Sequence, residues 1–147
     1  MRPITAKPRV LFLCTHNSAR SQMAEALLRH EAGDEFDVFS AGTAPARVHP
    51  LALQAMGEVG IDMSWQWAKS LDAVAGGEFA YAITVCDRVN ESCPTLPDDA
   101  LRIHWSFEDP TAAFGSAERR LQAFRRVRDE IRQRLRTFIT LTCRRIG

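Results

Sequence analysis

No stretch of this chain is apolar for anything near the ~18–20 residues that cross a bilayer. Its start, Met1-Arg2-Pro3-Ile4-Thr5-Ala6-Lys7-Pro8, has a positive charge but not the continuous apolar run of a secretory leader. The sequence is therefore read as cytoplasmic, with no membrane partner. An excess of one charge is missing too: 19 lysines and arginines face 18 aspartates and glutamates, a formal net charge of +1. That excludes a protein whose main partner is nucleic acid. Repeats, low-complexity tracts and linkers are absent, so the 147 residues are expected to form one domain, ordered over about 9–142. A chain of this length buries roughly 70% of its unfolded surface and needs no disulfide or metal to fold. Tyrosine is almost missing, with Tyr81 alone. Cysteine is sparse: Cys14, Cys86, Cys93 and Cys143. In a reducing compartment such a set points to chemistry, metal or packing before structural disulfides.

Arg9-Val10-Leu11-Phe12-Leu13-Cys14 is apolar without alternation, as in a strand covered on both faces. Ala19, Met23, Ala24, Leu27 and Leu28 then recur at helical spacing up to Gly33. Phe36–Phe39 form a second strand ending in Ser40-Ala41-Gly42, and Pro50 opens a helix that runs to Val59. Trp65 and Trp67 are expected to be partly buried, ahead of a short helix at Leu71–Ala75. Phe79–Cys86 and Leu101–Trp105 complete four strands, separated by the turn-rich stretch Asp87–Asp99. Leu121, Phe124, Val127, Ile131, Leu135 and Phe138 give the last helix one apolar stripe. Strands alternating with helices imply a parallel sheet in a doubly wound, three-layer α/β fold. The arginines between Arg119 and Arg145 read as a solvated helix face, with a local acidic partner surface as the alternative.

The chemistry gathers at Cys14-Thr15-His16-Asn17-Ser18-Ala19-Arg20-Ser21. A thiol at a strand end and an arginine in the first helical turn leave a loop that can curl around a tetrahedral oxyanion. Its N–H groups point inward and the helix N-terminus adds positive potential. Arg20 can offer two parallel hydrogen bonds to such an anion. The same field favours the thiolate of Cys14, as at other helix termini beside cations. Ser21 is expected to donate a hydrogen bond to that sulfur, and Asn17 to hold the loop's shape.

Val10 to Glu25, with Ser40-Ala41-Gly42-Thr43 and Asp109-Pro110, resembles the signature of the low-molecular-weight protein tyrosine phosphatase superfamily over about Arg9–Phe138. The resemblance implies a flavodoxin-like fold with a four-stranded parallel sheet, order 2-1-3-4, and helices on both faces. It implies substrate contacts from Thr15, His16, Asn17, Ser18, Ala19, Arg20 and Ser21, and Asp109 as the acid that protonates a leaving oxygen. An aspartate capping the turn before Pro110 is the plainer reading of the same residue. His16 departs from the small or apolar residues usual at its position.

Two features separate the branches of that superfamily. The eukaryotic-type phosphatases wall an aryl ring with aromatics beside the aspartate–proline pair. Here Thr111-Ala112-Ala113 follow, with no aromatic before Phe114. By contrast, Cys86-Asp87-Arg88-Val89-Asn90-Glu91-Ser92-Cys93-Pro94 is similar to the redox segment of thioredoxin-coupled arsenate reductases. That likeness implies three working thiols, Cys14, Cys86 and Cys93, an arsenate or phosphate-like oxyanion as substrate, thioredoxin as reductant, and no tightly bound cofactor or metal; a monomer is the simplest expectation for the fold. In some of these reductases a potassium ion is held by an asparagine, a glutamate, a serine and an aspartate. Asn17, Glu25 and Ser40 match the first three, and Lys69 stands at the fourth, so no potassium requirement is expected. Two alternatives stay open. One is a phosphatase working through a Cys14 phosphocysteine. The other is a thiol sensor that holds arsenite or zinc through Cys86, Cys93 and His104, though the spacing is wide for a zinc knuckle.

Overall fold

The computed structural model describes residues 7–74, 78–86 and 100–143. Its elements in chain order are β1 (Arg9–Cys14), α1 (Arg20–Ala32), β2 (Asp37–Gly42), α2 (Pro50–Glu58), α3 (Leu71–Val74), β3 (Tyr81–Thr84), β4 (Leu101–His104), a 3-10 turn (Pro110–Ala112) and α4 (Ala117–Cys143). The strands lie in the order β2-β1-β3-β4, and every neighbouring pair is parallel. This is the α/β sheet that the alternation of strands and helices implies.

β1 is central because its apolar run Val10 to Leu13 is wholly buried. Its even-numbered side chains enter the larger core with Met23, Leu27, Met56, Phe124 and Ile131, beneath α1, α2 and α4. Leu11 and Leu13 face the other way, with Ala41, Phe79 and Ala82, and α3 packs on that side. The two faces are therefore unequally covered among the described residues.

β3 is shorter than its apolar run. Phe79 leaves the ladder to pack edge-on against Phe39, with ring centroids 5.7 Å apart. β4 likewise ends at His104, although Trp105 N still donates to Thr84 O at 2.9 Å. α4 begins well before its stripe, started by Ser116, whose Oγ accepts from Arg119 N at 3.1 Å.

The arginines of α4 are not simply solvated. Arg125 and Arg128 reach Glu58 on α2 at 2.6 and 3.1 Å, and Arg132 reaches Glu31 on α1 at 3.0 Å. Arg128 is itself buried and donates to Ala55 O in the last turn of α2 at 2.7 Å. The effect of these ion pairs is to set the register of α4 against α1 and α2.

Trp65 and Trp67 correct the expectation of partial burial, at 54% and 62% exposed. Cations cover their faces in place of a core. The Arg29 guanidinium lies 4.8 Å from the Trp65 ring and the Lys69 ammonium 4.9 Å from Trp67. No helix among the described residues is long and apolar enough to cross a membrane.

Candidate active site

β1 carries Cys14 to the C-terminal edge of the sheet, the usual place for a site in an open parallel sheet. The loop from Thr15 to Ala19 then curls because its carbonyls are held from outside. Ala44 N donates to Thr15 O and Ala46 N to His16 O, each at 2.9 Å, and His49 N donates to Ser18 O at 3.0 Å. Gln22 Nε2 does the same for Asn17 O at 3.1 Å. All peptides among the described residues are trans. Each outward carbonyl therefore turns the next N–H, from His16 to Ala19, toward the concave side.

The loop closes at Asn17, the one non-glycine residue at positive φ (50°) among those described. Asparagine tolerates that conformation better than most side chains. Gly42 on β2 lies against the back of the loop. A Cβ there would sit 2.5 Å from Thr15 O and 2.9 Å from both Asn17 N and Cys14 O. The strand can approach this closely only without a side chain.

Hydrogen bonds then converge on the sulfur. Cys14, 3% exposed, has its Sγ 2.8 Å from Ser21 Oγ. The Asn17 carboxamide settles which atom donates. Lys69 N gives its proton to Asn17 Oδ1 at 2.9 Å, so the other end of the amide is the nitrogen. That Nδ2 donates to Ser21 Oγ at 2.8 Å and to Ser40 Oγ at 3.0 Å. With its oxygen accepting, Ser21 has its own proton left for Cys14. Ser40 in turn donates to Glu25 Oε1.

Glu25 is 3% exposed. Arg29 NH1 pairs with its Oε2 at 2.7 Å, and Lys69 Nζ lies 3.5 Å from its Oε1. Lys69 Nζ also donates to Trp67 O at 3.0 Å. The structure thus brings Asn17, Glu25, Ser40 and Lys69 together, with the lysine ammonium beside the carboxylate.

Arg20 opens α1 and is 5% exposed. Its NH1 donates to Phe107 O at 3.0 Å, and its NH2 lies 3.8 Å from Asp109 Oδ2. Asp109 does two things at once. Oδ1 caps the 3-10 turn, accepting from Thr111 N at 2.9 Å and Thr111 Oγ1 at 2.7 Å, while Oδ2 faces Arg20. Cys14, His16, Ser18, Ala19, Arg20, Asp109 and Thr111 line one cleft. The first turn of α1 has no acidic residue and no capping side chain, so its positive end is left for an anion.

Cys86 follows β3 and is wholly buried. β3 pairs directly with β1, and Val85 N donates to Leu13 O at 3.0 Å, so Cys14 and Cys86 leave neighbouring strands at the same edge. Cys86 is disulfide-bonded, whereas Cys14 and Cys143 are free thiols. Cys93 and the stretch around it lie outside the described residues. His104 Nδ1 is 2.6 Å from Thr84 Oγ1. Among the described residues no group of three or more His, Cys, Asp or Glu is placed to hold a metal.

Sequence reasoning missed the backing segment 44–49, the steric demand on Gly42, and two buried glutamines, Gln22 and Gln66. Gln22 stood inside the motif and could have been found there. Gln66, between two tryptophans, carries no local signal.

The model of the low molecular weight phosphotyrosine protein phosphatase family matches residues 9–145. An arsenate reductase of Halalkalibacterium halodurans is 44% identical over 129 residues, which are 88% of this chain and 93% of that one. Among solved structures, an arsenate reductase in the phosphate binding state superposes with a TM-score of 0.76 at 31% identity, covering 90% of this chain and 97% of the other. A thioredoxin-dependent arsenate reductase of Corynebacterium glutamicum aligns with a TM-score of 0.66 at 31% identity, over 95% of this chain and 65% of that one.

Proposed function

The chain belongs to the low molecular weight phosphotyrosine protein phosphatase family, and from that membership we propose that it is a cytoplasmic, monomeric arsenate reductase whose disulfide is cleared by thioredoxin. The observation that carries reduction over hydrolysis is the second sulfur. Cys86 follows the strand beside that of Cys14 and leaves the sheet at the same edge. Hydrolysis at Cys14 needs no such partner. The arsenate reductases among its relatives support the same reading.

In this reading the amides from Thr15 to Ser21 and the Arg20 guanidinium bind arsenate. The Cys14 thiolate attacks arsenic, and an oxygen departs as water with a proton from Asp109. The Cys86 thiolate then attacks the Cys14 sulfur. The electron pair of the breaking S–As bond stays on arsenic, which leaves as arsenite, and a Cys14–Cys86 disulfide remains. Attack of Cys93 on Cys86 frees Cys14 and moves the disulfide to Cys86–Cys93, and thioredoxin reduces that pair. Lys69, near Glu25, takes the place of a potassium ion.

Because arsenate and phosphate share a shape, the same cradle admits a slow phosphomonoester hydrolysis through a phosphocysteine at Cys14. The test follows arsenate-dependent oxidation of reduced thioredoxin, with the disulfide located by peptide mapping. Turnover should produce a Cys86–Cys93 pair, and Cys86→Ser should abolish it while sparing any aryl-phosphate hydrolysis. A Cys86→Ser protein that still turns over arsenate at the original rate defeats the relay.

A further inference from the structure

Cys14 ends a row of side chains in which every hydrogen bond runs one way; a backbone group fixes the orientation of each of the three amides, and the last amide leaves the Ser21 proton for the sulfur. Gln66 Nε2 lies 3.2 Å from the Gln22 backbone carbonyl, so the atom there is the nitrogen, and it donates as well to Gln22 Oε1 at 2.6 Å. Gln22 Nε2 faces two main-chain carbonyls, Asn17 O at 3.1 Å and Trp67 O at 2.9 Å. It also donates to Asn17 Oδ1 at 2.8 Å. From Asn17 the direction continues through Ser21 to the sulfur.

Both glutamines are buried, at 0% and 6% exposed. Gln66 Oε1 has no hydrogen-bond partner among the described residues. Methionine would fill the same space without desolvating an oxygen, so packing alone does not account for an amide here. What the amide adds is its pair of bonds to Gln22. Gln66 sits on the segment 61–70, which has no helix or strand of its own beyond an isolated bridge from Ser70 to Gly42. It touches neither the cleft nor the sulfur.

We propose that Gln22 and Gln66 are positioning residues for Cys14, acting in series to lock the Asn17 carboxamide in the orientation that leaves the Ser21 proton for the sulfur. Gln66 holds Gln22, and Gln22 holds Asn17. Reversing the Gln22 amide would set its oxygen against the carbonyls of Asn17 and Trp67. Reversing Asn17 would turn two donors toward Lys69 N–H and take both hydrogen bonds from the serines. The proposal rests on Cys14 being the nucleophile and is indifferent to which oxyanion it attacks.

The experiment is iodoacetamide labelling as a function of pH, read by peptide mass spectrometry on the oxidised protein. There Cys86 is disulfide-bonded, and Cys143 serves as an internal control far along α4. Gln66→Met and Gln22→Met should each move the Cys14 midpoint upward by about half a pH unit or more, about threefold slower labelling below the midpoint. The Cys143 profile should not move. Because the two act in series, the double variant should shift no further than Gln22→Met alone, and Gln66→Met should have no effect in a Ser21→Ala background. A Gln66→Met protein with the original Cys14 midpoint overturns the proposal, as does a double variant whose shift is the sum of the two. If Gln22→Met does not fold, the Gln66→Met and Ser21→Ala comparison decides alone. Labelling needs no arsenate, so a shifted midpoint without arsenate turnover leaves this assignment standing and removes only the reductase reading.

Discussion

Ser21 Oγ lies 2.8 Å from Cys14 Sγ and accepts from Asn17 Nδ2 on its other side, so its hydrogen points at the sulfur. A hydrogen bond to a charged partner contributes about 1.5–3 kcal/mol. Ser21→Ala should therefore slow alkylation of Cys14 at neutral pH about ten- to a hundredfold. Turnover at neutral pH should fall about ten- to a hundredfold, measured as initial rate against pH.

Gly42→Ala tests how closely β2 backs the loop. Its methyl would meet Thr15 O at 2.5 Å, a backbone atom that cannot swing aside. Overpacking of this kind costs about 1–3 kcal/mol, so the urea midpoint should drop. More telling, the loop should lose its curl, and phosphate should no longer protect Cys14 from alkylation. A variant that is destabilised yet fully protected would show that the close approach serves packing alone.

Lys69 Nζ stands 3.5 Å from Glu25 Oε1 with Trp67 O at 3.0 Å, positions a bound cation's ligands could otherwise share. Initial rates in potassium and sodium salts of equal ionic strength should agree within error. A strong rise specific to potassium would show that the ammonium does not substitute for the ion.

His49 gives the stability a pH dependence. Burial, and then Arg120 and Arg47, hold its imidazole below the ordinary range against the opposing pull of Asp109. Its Nδ1 accepts from Leu51 N at 3.1 Å at the start of α2, and its ring lies 4.8 Å from that of Phe124. With the folded value depressed, the unfolded chain binds the proton first as pH falls. This contribution is intact above about pH 6.5 and is lost below it as the proton binds. His49→Asn keeps a capping oxygen but cannot titrate. The melting temperature of that variant should fall less between neutral and mildly acid pH than that of the original protein.

The elements with unbroken patterns were legible in advance. β1 and α1 show themselves because one is apolar throughout and the other repeats at helical spacing. The ends of α4 were not legible, because Ala117–Arg120 and the last turn extend past the apolar stripe that marks the helix. The tryptophans misled because the expectation priced their rings as needing a core, whereas the cations of Arg29 and Lys69 sit over them. The arginines of α4 looked like a solvated face because their partners, Glu31 and Glu58, lie on helices distant in the chain.

The order of residues from Cys14 to Ser21 was enough to nominate a candidate nucleophile and a candidate anion-binding arginine, since those roles depend on residue type and on the junction between a strand and a helix, whereas Asp109 was nominated only through the family resemblance of its Asp-Pro pair. Donation from Ser21 to the sulfur was expected there too, but what fixes the direction of each proton was not legible. It depends on Lys69, Gln22 and Gln66 meeting Asn17 across the fold, on Gly42 lying against Thr15, and on the amides of Ala44, Ala46 and His49 drawing the loop's carbonyls outward. Hydrogen bonds are directional and short-ranged, and the chain must fold before the groups that set their direction come within reach.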